Sequence, residues 1–308
     1  MRSSQVFLCA MAVTACAGTE GDVLRSSPDA ALADILMPDA WGPDASGPDA
    51  SLPDATGPDA SLPDARPPGD APIPRPKPEP LSTWQIQLSG GSLDTTVDAR
   101  VYVSDIETPT AVIRSLHAAG RIVICYFSGG TMEPFRDDAS RFPADSLGMQ
   151  LSNYDERWLD VRHATVRAIM QDRLAKAARV ECDGVHPSGL SGFASATGFD
   201  FTRADQLAYD RWLASAAHAL GLSIGLVDGD VSLSQELLAD FDWRVVFSCL
   251  STNCAAAAPF VGARKAAFLI EYGDESRLAE VCPRARELGL SAIIKRNGNL
   301  DAFRAGCP

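Results

Sequence analysis

Histidine and aromatic residues are scarce here: 308 residues include four histidines, and only 7% are Phe, Trp or Tyr. No cluster of cysteines and histidines has zinc-ligand spacing, which excludes a zinc module; no metal and no cofactor is expected. No apolar run approaches the ~20 residues that a membrane-crossing helix needs, and the N-terminal run Val6 to Val13 is far shorter. Positive charge is also in short supply, with 27 Lys and Arg against 40 Asp and Glu and a net charge of −13. A nucleic-acid footprint needs a basic face that releases counterions, so nucleic acid is not an expected partner.

What is present divides into three parts. Met1-Arg2, the apolar run and Val13-Thr14-Ala15-Cys16 look like a bacterial lipobox, in which Cys16 becomes the acylated first residue of the mature chain. A plain secretory signal ending near Ala15 or Ala17 is the alternative, and both place the protein outside the cytoplasm, in the cell envelope. Residues 17–80 follow, with twelve acids against four bases and with Pro-Asp-Ala occurring seven times between Pro28 and Ala65. Regular prolines and self-repelling aspartates leave too little apolar surface to offset ordering entropy, so a disordered spacer is expected. An Asp-rich calcium repeat is disfavoured, because proline at every fifth position prevents several oxygens from converging on one ion.

Residues 81–308 have a globular composition, with 28 acids against 22 bases. Eight short apolar or β-branched runs read as strands: 84–88, 101–105, 122–127, 182–186, 223–227, 243–248, 266–271 and 291–295. Helical spacing recurs over 110–119, 155–179, 202–220, 232–240 and 274–288, and Gly120, Gly221 and Gly289 close three of these stretches. The alternation predicts an α/β fold, a (β/α)8 TIM-type barrel, with an open doubly wound sheet as the alternative. Asp105, Tyr126 with Ser128, His186, Asp228, Ser248, Glu271 and Lys295 each fall at the C-terminal end of a strand. In such a barrel those ends share one face, where the loops build the site.

A family resemblance rests on several segments. They are Trp84-Gln85-Ile86-Gln87-Leu88, Cys125-Tyr126-Phe127-Ser128-Gly129-Gly130 with Glu133 and Arg136, Glu156-Arg157-Trp158-Leu159-Asp160, Asp183-Gly184-Val185, Thr197-Gly198-Phe199, and Ile270-Glu271-Tyr272. In this order they resemble glycoside-hydrolase family 114 over residues 82–308. The resemblance implies a barrel related to endo-α-1,4-polygalactosaminidases, with a galactosamine-containing polysaccharide as partner. Glycoside hydrolysis ordinarily uses two carboxyl groups. The family carries them in Glu-Pro-Asp-Asn after strand four and Glu-Gln-Cys at strand six. Here those motifs read His186-Pro187-Ser188-Gly189 and Phe247-Ser248-Cys249, so Ser188 and Phe247 occupy the acid positions. The family's Lys-Asn after strand five reads Val227-Asp228.

The reading favoured on these residues is a catalytically degenerate barrel kept for polysaccharide binding. Two others stay open: a hydrolase whose acids have moved, with Asp228 paired to Asp105, Glu133, Asp160 or Glu271, and a barrel kept for protein contacts. Asp228 precedes Gly229, and Asp-Gly is also an ordinary turn. The expected ligand-binding set is Asp105, Tyr126, Ser128, Glu133, Arg136, Asp160, His186, Asp228, Glu271 and Tyr272. His186 is read as a hydrogen-bonded structural residue or a proton carrier, and His117, His163 and His218 as helix residues. Arg136 and Arg162 are read either as clamps for a sugar or carboxylate or as residues that orient the acids beside them, and Trp84 is expected to pack in the core. The resemblance implies disulfides Cys249–Cys254 and Cys282–Cys307, while Cys125 and Cys182 read as buried thiols. A monomer, held to a membrane through Cys16, is expected.

Overall fold

The computed structural model describes residues 76–152, 154–227 and 231–307. The Cys16 motif, the Pro-Asp-Ala run and Asp228 lie outside them.

Strand β1 (Trp84–Gln87) leads to β2 (Val101–Asp105), helix α1 (Thr110–Ala118) and β3 (Ile122–Ser128). An excursion of three short strands follows: β4 (Thr131–Met132), β5 (Leu147–Gln150) and β6 (Arg157–Leu159). The chain re-enters the barrel through α2 (Ala164–Arg179), β7 (Gly184–Ser188), α3 (Arg203–Ala219) and β8 (Ser223–Val227). It continues with α4 (Val231–Ser234), β9 (Trp243–Phe247), α5 (Ala258–Gly262), β10 (Ala266–Tyr272), α6 (Leu278–Glu287), β11 (Ser291–Lys295) and β12 (Ala305–Gly306). The order β1-β2-β3-β7-β8-β9-β10-β11 is parallel throughout, and β12 pairs antiparallel with β11. The eight expected strands are all found, and the open doubly wound alternative is set aside.

Alternation along the strands sorts side chains between two layers. Trp84, Val103, Tyr126, Val227, Trp243, Val245, Phe268 and Ile293 fill the barrel axis. Tyr102, Cys125, Val185, Ile224 and Leu226 pack outward with α1, α2 and α3 residues. Gly225 is required by this packing, since a Cβ there would lie 2.1 Å from the Trp243 indole nitrogen. Side chains stitch the seam between β1 and β11. Trp84 Nε1 donates to the Ser291 carbonyl (2.9 Å), Lys295 Nζ to that of Ile86 (2.9 Å), and Arg304 Nε to that of Trp84 (2.7 Å). The core reading of Trp84 holds, and the indole also packs 4.7 Å from the Phe268 ring.

The helix expected over 155–179 begins only at Ala164. Asp160 Oδ1 accepts from the Arg162 amide (3.0 Å), turning the chain, so the residues before it join the excursion as β6. His163 is the N-cap of α2, its Nδ1 accepting from the Thr165 amide (3.1 Å). Of the helix expected over 232–240, only the part within Val231–Ser234 forms. Beyond it the carbonyls of Leu238 and Phe241 are taken by Lys265 Nζ at 2.5 and 2.6 Å. Asp274 caps a short 3-10 turn, Glu275–Arg277, before α6.

Three disulfides join Cys125 to Cys182, Cys249 to Cys254 and Cys282 to Cys307. The first corrects the reading of Cys125 and Cys182 as free thiols. Parallel pairing of β3 with β7 sets Cys182, two residues before β7, beside Cys125 on the outer face of β3, with Cα atoms 5.9 Å apart. At the base of the barrel, where the strands begin, residues 76–80 lie against the domain. Pro78 is buried, and the Pro76 carbonyl accepts from Ser223 Oγ (2.7 Å). Two matching clamps sit on the same pole. His117 Nε2 meets Asp183 Oδ2, and His218 Nε2 meets Asp242 Oδ2, each at 2.9 Å. Each aspartate also accepts a strand amide, from Val123 or Ile224.

Candidate functional site at the barrel mouth

Among the described residues the C-terminal strand ends divide into a charged side and an apolar side; Asp228 and Asp230, which follow β8, lie outside them. On the charged side, Asp105 at the end of β2 accepts from Arg136 Nη2 (3.0 Å) and Nη1 (3.3 Å). The same guanidinium donates from Nε and Nη2 to both oxygens of Glu133, which is fully buried. Arg173 extends the network with two bonds of 2.8 Å to Asp138 and one of 2.8 Å to the Ser128 carbonyl. Ser128 also donates its amide to Glu133 Oε2 (3.2 Å), and its hydroxyl accepts from the Thr131 amide (3.0 Å). Every charge in this group therefore has an opposite charge in contact, which is how carboxylates persist away from water.

Glu156 is a contributor that the sequence reading did not single out as a site residue. It is buried at the start of β6 and accepts from Thr131 Oγ1 (2.5 Å). Burial, reinforced by the neighbouring Glu133 charge, pushes its carboxyl up to about 8, so it is neutral at pH 7. Its spacing from Ser128 and Thr131 carries no sequence signal, because the excursion that brings them together consists of strands two to four residues long.

Tyr126 and Ser188 occupy neighbouring strands and share a hydrogen bond of 3.1 Å between Oη and Oγ, both residues being buried. Burial, with Glu133 and Glu156 nearby, pushes the Tyr126 hydroxyl well above its ordinary range. His186 lies beside Tyr126, ring centroids 6.1 Å apart, and neither imidazole nitrogen has a hydrogen-bond partner among the described residues. The hydrogen-bonded reading of His186 is thus corrected. Complete burial drives its basicity down to about 3, so the ring is neutral and carries no proton at physiological pH that it could donate as an imidazolium.

On the opposite side, β8 ends in Val227, and Phe247 at the end of β9 is half-buried against the axial apolar cluster together with Tyr272. Glu271, expected at the site, points outward from β10. Its Oε1 accepts from the Leu250 amide (3.1 Å) and its Oε2 faces Arg277 (3.4 Å), so it holds the loop bridged by Cys249–Cys254. Asp160 faces Arg162, which spans to Asp200. Burial opposes the charge of Asp160, yet hydrogen bonds from Arg162 hold it below the usual carboxylate range. The reading of Arg136 and Arg162 as residues that orient acids is what the geometry shows.

Beside the charged side lies a cleft of about 960 Å³. The 88–93 loop, Asp105, Glu107, Phe135, Arg136, Asp137 and Asn299 line it. Gly90 and Gly91 adopt φ of +80° and +96°, which lets this loop turn tightly. Phe135 is 37% exposed, offering an aromatic face beside hydroxyls and carboxylates, the lining that sugar rings accept. Among the described residues no cluster of His, Cys, Asp or Glu is arranged to hold a metal ion.

The profile of glycoside-hydrolase family GH114 matches residues 65–308. The chain belongs to this family. Among solved structures, Ega3 of Aspergillus fumigatus in complex with galactosamine is 34% identical, with a TM-score of 0.72 over 78% of this chain and 100% of that one. The glycoside hydrolase domain of PelA from Pseudomonas aeruginosa is 14% identical, with a TM-score of 0.59 over 73% and 98%, a likeness that shows the fold alone. A comparison with curated proteins gave no match.

Proposed function

We propose that this GH114 barrel is an exported, envelope-tethered protein that binds amino-sugar polysaccharide and has lost the hydrolytic acid pair. One observation carries the reading. Ser188 is buried and engaged by Tyr126, and Phe247 packs into the axial apolar cluster, so neither acid position offers a titratable oxygen. A general acid and a partner carboxylate are the minimum for this bond cleavage. Four of the carboxylates weighed as substitutes are committed elsewhere, Asp105 and Glu133 to Arg136, Asp160 to Arg162, and Glu271 to Leu250 and Arg277, while Asp228 lies outside the described residues.

The cleft supports a binding role. Asp137 lines it with no ion pair among the described residues, and Asp105 and Glu133 together outnumber the single charge of Arg136, so a sugar bearing a free ammonium is attracted. That the solved relative Ega3 holds galactosamine points to the same ligand class. Export is supported by the three disulfides, which oxidising compartments favour. No helix among the described residues is long and apolar enough to cross a membrane, and attachment is assigned to Cys16. The test is affinity electrophoresis against partly deacetylated galactosamine polymers. Retardation by the polymer that weakens in Asp137→Asn and in Phe135→Ala supports this reading, and unretarded migration of the unmodified chain contradicts it.

A further inference from the structure

We propose that the base of the barrel, the pole opposite the cleft, is a docking surface for anionic phospholipid headgroups. Three observations meet there. First, the chain enters the barrel at this pole, where residues 76–80 lie across the strand starts. Anything that holds the N-terminal segment to a membrane therefore pulls on this face.

Second, the base carries exposed cations with no carboxylate tightly bound to them. Four cations, Lys77, Arg100, Arg264 and Lys265, line a cavity of about 520 Å³ between residues 76–80 and the strand starts, against two acids, Glu79 and Asp242. Arg100 and Arg264 are exposed and make no ion pair among the described residues, and Lys77 stands 3.9 Å from Asp242. Asp242 is already engaged by His218 and the Ile224 amide. Such an arrangement attracts an anionic lipid surface, whereas Asp105, Glu107 and Asp137 at the far pole are repelled by it, so the surface field orients the barrel with its cleft outward.

Third, apolar side chains stand out among these cations. Of the six large hydrophobic residues exposed among the described residues, three lie at the base: Leu81 (59%), Leu220 (37%) and Leu288 (43%). Leu220 and Leu288 are the C-cap residues of α3 and α6, which end at the strand starts, and Leu81 precedes β1. Exposed leucines at the same pole as these cations match the interfacial zone of a bilayer, where acyl boundary and headgroup phosphates are both within reach.

The proposal extends the envelope-tethered reading, but the docking itself does not require the acyl group, and the experiment keeps the two apart. The exported full chain carrying Cys16→Ser is sedimented with phosphatidylglycerol–phosphatidylcholine vesicles and with phosphatidylcholine vesicles. Expected are association with the anionic vesicles only, loss of that association in high salt, and at least about tenfold weaker association for Arg100→Glu/Arg264→Glu. Leu220→Ser/Leu288→Ser should weaken it independently of salt. Hydrogen exchange on the unsubstituted chain should show vesicle protection at 219–222 and 286–290 and none at 133–138. Equal binding to both vesicle types, protection centred on the cleft, or association only after residues 17–75 are removed would each overturn the proposal. A chain found unacylated by mass spectrometry would instead sink the Cys16 assignment alone.

Discussion

On the β2–β3 side of the mouth, Asp105, Glu133, Asp138, Arg136 and Arg173 are locked together, whereas on the β8–β9 side the equivalent strand ends present Val227 and Phe247. Buried charge survives only where each group finds its opposite. A lone carboxylate at the mouth, of the kind hydrolysis demands, has no such partner and persists only while catalysis requires it. On the function proposed above, the apolar side is where that requirement lapsed, and the charged side is the part whose removal would damage the fold whatever the activity.

The sharpest way to break this comparison is Arg136→Ala. It leaves Asp105 without a cation and Glu133 with only Arg173 at 3.6 Å, and should cost about 3–5 kcal/mol of unfolding free energy in denaturant titration. A loss below ~1 kcal/mol would mean that the network is ornamental to the fold. Next in size is the bridge that fastens β3 to the start of β7. Cys125→Ala/Cys182→Ala should cost about 2–4 kcal/mol, and thiol titration of the denatured, unreduced protein should find none of the six domain cysteines free.

Glu156 sharpens the comparison through pH. Its carboxyl is raised in the fold to about 8 from an ordinary 4.5, so ionisation opposes folding. Its contribution to stability is intact below about pH 4.5, declines as pH climbs to about 8 and is flat above. Glu156→Gln should remove that decline. At pH 8 the variant should be more stable by about 1–3 kcal/mol, and at pH 4 unchanged. The smallest effect belongs to the apolar side: Phe247→Leu should cost about 1 kcal/mol or less, because the ring is half-exposed and the replacement is also apolar.

The barrel was legible because eight near-continuous apolar runs alternate with helical spacing, a pattern few other folds produce. The excursion was not, since Arg157-Trp158-Leu159 continues a helical spacing and becomes a strand only through pairing with β4 and β5. Cys125 and Cys182 lie 57 residues apart, and only the β3–β7 pairing makes them neighbours. Asp105 and Arg136 could be read as site residues from strand-end position and local charge. Glu271 could not be sorted from them, because its outward direction depends on the alternation along β10 relative to the barrel axis. The cleft was illegible for a different reason: it is shaped by a loop with two glycines at positive φ, with no chemical motif to mark it.

The most direct test asks whether bonds break. Purified full chain is incubated with soluble α-1,4-linked galactosamine polymer under conditions in which polymer binding is verified, and new reducing ends are counted over days. The account predicts none above the polymer-only control for the unsubstituted chain. Sustained release by that chain, abolished in Asp228→Asn, would contradict it and return the protein to the working hydrolases.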